Sequence, residues 1–156
     1  MSMSIDRGDI GRTAPGRQAN GVTLHDAQRV LAGAVEWAAA NGLLLAVAVV
    51  DIGGHPVATA RMDGASILAG EVVVQKARMA AWLGRPTASA VDFGREWPHV
   101  YLSFVSAAQG SIILSKGGIP LVKDGRIVGA VASSGGSAEQ DQACSDAGAP
   151  AGGFEL

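Results

Sequence analysis

The stretch GGIPLVKDGRIVGAVASSGGSAEQDQACSDAG, residues 117–148, decides the fold. Two short apolar runs, Ile119–Val122 and Ile127–Ala132, flank Asp124-Gly125. An Asp-Gly pair between strand-like runs is a strong hairpin signal, because both residues tolerate the positive φ of a type I′ turn. The second run leads into Ser133-Ser134-Gly135-Gly136, and a helix is expected to begin at Ser137. Ser137 with Gln140 three residues on makes a capping box, and Gly148 reads as a C′ stop. Strand, glycine turn and helix N-terminus in series present unpaired backbone N–H groups at one concave spot, which suits a carboxylate or phosphate. The same pattern equally describes a well-capped helix after a hairpin, with no ligand. Glu139 and Asp141 lie in the first turn, where the helix dipole favours them and where they would repel an anion.

Working upstream, Ile112–Leu114 is read as a strand preceding the hairpin, whose own strands are Ile119–Lys123 and Arg126–Ala132. Thr87–Arg95 reads as a short helix broken at Trp97-Pro98, and Tyr101–Ala108 as a segment covering the sheet. A helix over 66–83 is stopped by Gly84 and Pro86. Leu43–Val50 is a continuous apolar run of strand length, turned by Asp51-Ile52-Gly53-Gly54 into a second strand, Pro56–Arg61. Ala27, Val30, Leu31, Ala34 and Ala38 recur at helical spacing over 23–41, behind a Thr23 cap. Short turns join two of the strand pairs directly, so the sheet should be mainly antiparallel and the class α+β. Residues 1–21 read as a flexible N-terminal arm, 22–148 as one domain and 149–156 as a C-terminal tail.

Composition narrows the partners. Charged residues are only 17% of the 156 and hydrophobic ones 48%, which suggests a monomer that buries an apolar face in a homo-oligomer. A net charge of −2 and 4% aromatics offer no footprint for nucleic acid or an anionic membrane. The single cysteine, Cys144, cannot form an internal disulfide, and no Cys/His cluster has zinc spacing. The start lacks an apolar secretory core and no apolar run reaches spanning length, so a cytoplasmic location is expected. The glycine pairs lack G-x-G-x-x-G spacing, no Walker lysine follows them, and Ser133 and Ser134 are not in a nucleophile elbow.

The candidate chemistry lies in few residues. Arg61 ends a strand where its planar fork could grip a carboxylate with Asp63 orienting it, or the two form an ordinary turn clasp. Lys76 sits amid valines and alanines, either as a desolvated base or anion partner, or as a snorkelling surface lysine. Thr87, after Pro86, offers a hydroxyl from a rigid turn, and Ser134, Gly135 and Gly136 offer backbone donors. Three histidines stand apart in sequence: His25 in a first helical turn, His55 in a hairpin turn and His99 after Trp97-Pro98.

Three segments in order carry a resemblance: AVAVVDIGGHPVATARMDGA (46–65), QKARMAAWLGRPT (75–87) and the 117–148 stretch. Together, over roughly 22–148, they resemble the GlcG/HbpS family of small haem-binding and catabolic-operon proteins. This is the DUF336 family, which includes the C-terminal domain of PduO-type proteins. The resemblance implies a profilin-like α/β/α sandwich with a five-stranded sheet, and a small-ligand-binding protein whose cofactor is haem. His25 is then the first choice as iron ligand and His55 the second. The alternative is a cofactor-free isomerase, lyase or hydrolase acting on a small carboxylate or carbonyl compound of a catabolic or biosynthetic operon. Arg61 and the Ser134–Gly136 amides would bind that substrate, with Lys76 or a histidine as acid or base. A non-catalytic accessory subunit is the third reading. Either ligand should meet a pocket where Arg61–Asp63, Lys76, Thr87 and Ser133–Ser137 converge, near a subunit boundary. Two features depart from the family pattern: Ala132 replaces an expected glycine before Ser133, and Arg95–Gly110 is unusually aromatic.

Overall fold

A four-stranded antiparallel sheet in the order β2-β1-β4-β3 carries helices on both faces. The structure, a computed structural model, describes residues 21–156, so the expected arm lies outside the described residues except for Gly21. In chain order the elements are α1 (Leu24–Ala40), β1 (Ala46–Asp51), β2 (Pro56–Arg61), α2 (Ile67–Leu83) and α3 (Thr87–Glu96). α4 (Pro98–Ala107), β3 (Gly118–Lys123), β4 (Arg126–Ser134) and α5 (Ala138–Ala151) follow.

Strand alternation sorts the core into two layers. Val47, Val49, Val131 and Leu121 point to one face, against Val30, Leu31 and Ala34 of α1 and Cys144 and Ala149 of α5. Ala46, Ala48, Ala130 and Ala132 point to the other, against Ala69, Val73, Ala77 and Ala80 of α2. The second layer holds nothing larger than valine, so α2 packs close to the sheet. Much of the chain's alanine therefore has a cause within one copy.

The hairpin forms as its turn residues require, with φ of 52° at Asp124 and 68° at Gly125. Ser137 and Gln140 make the reciprocal capping box at 3.2 and 2.8 Å. Gly148, however, does not stop α5, which runs on to Ala151. It is needed for a close approach instead: a Cβ there would lie 2.8 Å from the Val30 carbonyl of α1. The segment expected as a tail completes α5, buries Phe154 against α1, and pairs Glu155 with Val122 of β3.

The sheet has four strands where five were expected, because Ile112–Leu114 pairs with none. The side chain of Arg78 on α2 donates to the Ser111 carbonyl at 2.9 Å, and Ile112 packs with Met79 and Ala90. Burial alone accounts for that apolar run. α4 packs on α3 and not on the sheet, and none of its residues is buried.

Candidate functional site

Lys76 lies in the middle of α2, and its side chain is only 2% exposed. Its Nζ donates to Asp141 Oδ2 and to the Ser133 carbonyl, both at 2.8 Å. A charge taken out of water needs such fixed partners. Asp141 Oδ1 accepts from the Gly136 N–H at 2.9 Å. The helix N-terminus after the glycine turn thus holds a carboxylate, and that carboxylate is the chain's own Asp141. The Ser137 N–H is also occupied, by Gln140 Oε1. Alongside, the buried Ser145 hydroxyl donates to the Gly117 carbonyl at 2.8 Å and lies 2.9 Å from Ser133 Oγ. Thr87 is fully buried and accepts from the Gly118 N–H at 3.1 Å. Lys76, Thr87 and the Ser133–Gly136 turn do come together, but as a solid polar core. It joins α2 and α5 around the end of the sheet. Burial also pushes the Cys144 thiol in this core above its usual range, with Ser133 pulling the other way and the Asp141 charge adding to the rise.

Arg61 stays outside that core. It ends β2 beside Ala46, whose other cross-strand neighbour is Ser134. Arg61 and Ser134 therefore border the same end of the sheet, two strand spacings or about 10 Å apart. Arg61 Nη1 donates to the Ala65 carbonyl at 2.9 Å. Its stem lies across Gly70 of α2, where a Cβ would come within 2.9 Å of Arg61 Cδ. The result is an open cleft of about 280 Å³ between β2 and α2, lined by Thr59, Arg61, Glu71 and Val73 among others. Asp63 is exposed and, among the described residues, forms no ion pair with Arg61.

The histidines stand elsewhere. His25 is exposed in the first turn of α1. The next residue, Asp26, lies 3.6 Å from Lys123 Nζ, and Arg126 is the cross-strand partner of Lys123. His55 is exposed just before β2, with its backbone N–H bonded to Asp51 Oδ1. Both sit toward the sheet end that carries the β3–β4 turn, whereas Arg61 and Ser134–Gly136 sit at the other end. One copy therefore does not bring His25 or His55 to the Arg61 cleft, contrary to the single pocket expected. His99 is exposed on α4. Among the described residues no group of three or more His, Cys, Asp or Glu could hold a metal ion.

The sequence alone does not point to Ser145 or Gly117 in the network, and it reads Asp141 as a helix-dipole residue that would repel an anion rather than as the partner of Lys76. The spacing from Ser137 to Asp141, one helical turn, was the signal that the carboxylate returns to the glycine turn.

Comparison with known proteins agrees with this architecture. A family described as "Haem degrading protein HbpS-like" matches residues 22–150. Protein GlcG of Escherichia coli strain K12 is 37% identical over 109 residues, 67% of this chain and 75% of that protein. Against another curated relative the match spans 66% of that protein's length. The crystal structure of Klebsiella pneumoniae protein ORFY, of DUF336, superposes with a TM-score of 0.80 at 27% identity, covering 91% of this chain and 97% of that one. A PduOC–haem complex superposes at 0.78 and 28%, covering 86% and 97%. No described helix is long and apolar enough to cross a membrane. With the family match spanning most of the chain and the GlcG identity beside it, this chain belongs to the GlcG/HbpS family.

Proposed function

We propose that this chain binds haem or a related tetrapyrrole on its surface, with His25 as the iron ligand. The observation that carries this is the haem complex of a fold relative aligned over 86% of the chain. His25 suits the role because it is exposed, follows the exposed Leu24, and precedes Asp26, which pairs with Lys123, the cross-strand partner of Arg126. An imidazole can ligate iron, leucine offers an apolar contact, and the two cations suit propionates. Haem would supply an iron centre, while the chain's own residues hold and orient it. The described cavities are about 210–330 Å³ and none is lined by His25, so a porphyrin is not enclosed by one copy. A second copy is the cover we propose for its other face. Exposed Ile67 and Leu68, at 74% and 68%, also favour self-association. Haemin titration tests the assignment: the wild type should saturate with a shifted Soret band, and His25→Ala should lose that shift while His55→Ala keeps it. An unchanged spectrum in His25→Ala would remove His25 as the ligand.

A second reading, a cofactor-free enzyme for a small carboxylate, is favoured by the Arg61 cleft alone. There the guanidinium donates to Ala65 from Nη1, its other donors make no hydrogen bond among the described residues, and Glu71 lines the same space. Lys76 is enclosed, so acid–base work at that cleft falls to Glu71. Short mono- and dicarboxylates titrated by NMR should perturb residues around Arg61 in the wild type and not in Arg61→Gln. Equal perturbation in both would reject this reading.

A further inference from the structure

We propose that the corner between α2, α3 and α4 is a separate binding site for a planar aromatic acid of one or two rings. A cleft of about 290 Å³ opens there, lined by Met79, Leu83, Arg85, Phe93, Tyr101 and Phe104. Its volume is at the low end of the roughly 300–1,000 Å³ of small-molecule sites, enough for fused rings and too small for a porphyrin. The lining has the parts that such a ligand needs. Phe93 and Phe104 stack with centroids 6.1 Å apart and planes 14° apart, yet remain 39% and 51% exposed. An aromatic pair so open presents ring area for a further flat group. Buried Met79 closes the base with a polarizable thioether. Tyr101 packs beside Leu114, and burial pushes its phenol above the usual range, with the Leu114 backbone pulling the other way, so it stays a neutral wall.

Charge sets the ligand's class. Arg85 is exposed just after the left-handed Gly84 that ends α2, and it lines the cleft. Among the described residues it forms no ion pair. An apolar, aromatic cleft with one guanidinium complements a monocarboxylate carried on a ring. α4 buries none of its residues; Tyr101 packs against the Met79, Ala90 and Ile112 cluster, while Phe104 stays half exposed at the cleft. The site lies on the α2 side of the sheet, whereas His25 is on α1, which packs on the other side, so haem at His25 and an acid here are independent.

The test is titration of the full-length protein with 2-naphthoate and its neutral amide, 2-naphthamide, followed by tryptophan and naphthyl fluorescence. The wild type should bind naphthoate in preference to naphthamide. Arg85→Gln should lose that preference, a drop of about tenfold for the acid alone. Phe104→Ala should weaken both probes by about tenfold, and circular dichroism should show both variants folded. Saturating haemin should leave the naphthoate affinity unchanged, which separates this site from the haem reading. Wild-type protein without naphthoate binding, affinity insensitive to both substitutions, or displacement by haemin would each overturn the proposal.

Discussion

Lys76 and Arg61 come from adjoining elements, carry the same charge and stand among apolar neighbours in the sequence, yet they are treated in opposite ways. Lys76 is closed inside a buried network with Asp141 and Ser133, while Arg61 faces an open cleft with one donor fixed on Ala65. An ammonium at the end of a long stem can reach from α2 to α5 and fill a gap in the core. A guanidinium at a strand end is spread too widely for that gap and keeps several donors for something else. The difference teaches that a scarce cation is not by itself a site. Its exposure and the completeness of its partners decide whether it serves the fold or a ligand.

The largest break in this comparison should come from Lys76→Ala, which leaves the Asp141 carboxylate buried without its partner. A loss of about 3–5 kcal/mol in denaturant unfolding is expected. Thr87→Val removes the acceptor of the buried Gly118 N–H and should cost about 1–3 kcal/mol by the same measurement. Arg61→Gln should stay within about 0.5 kcal/mol of wild type, as an exposed substitution does, while abolishing any carboxylate binding at its cleft. A large loss of stability there would erase the contrast.

A finer test uses Cys144, which lies beside the network and whose thiol is raised by burial. The folded chain holds this proton more tightly than the unfolded one. Its contribution to stability is therefore complete below the unfolded thiol's pKa, about 8.5, and declines as pH rises toward the folded value. Unfolding midpoints measured across this range should fall, and the fall should vanish in Cys144→Ala. In parallel, thiol reagents should label Cys144 only as the protein unfolds.

Local chemistry made much of the fold legible. The positive-φ pair Asp124-Gly125, the Thr23 cap and the Ser137–Gln140 box each act through a few adjacent residues, and all form as read. What failed depended on distant partners. Ile112–Leu114 has strand-like residues but joins no strand, and Ile112 and Leu114 pack with Met79 and Ala90 of α2 and α3. Gly148 reads as a stop until α1 is known to pass within contact of it. For the site, residue identities were readable and their grouping was not. Arg61 and Lys76 are near in sequence, but only the three-dimensional path of α5 shows that Asp141 claims Lys76 and leaves Arg61 free of the core.

Pairing Lys76→Met with Asp141→Asn tests the division of roles most directly. The asparagine oxygen keeps the acceptor for Gly136, and methionine fills the lysine's volume without charge. The double variant should regain at least half of the stability lost in Lys76→Ala, and haemin titration should give the wild-type Soret shift. A folded double variant that no longer binds haemin would contradict the account, because the buried pair would then belong to the ligand's chemistry and not to the frame.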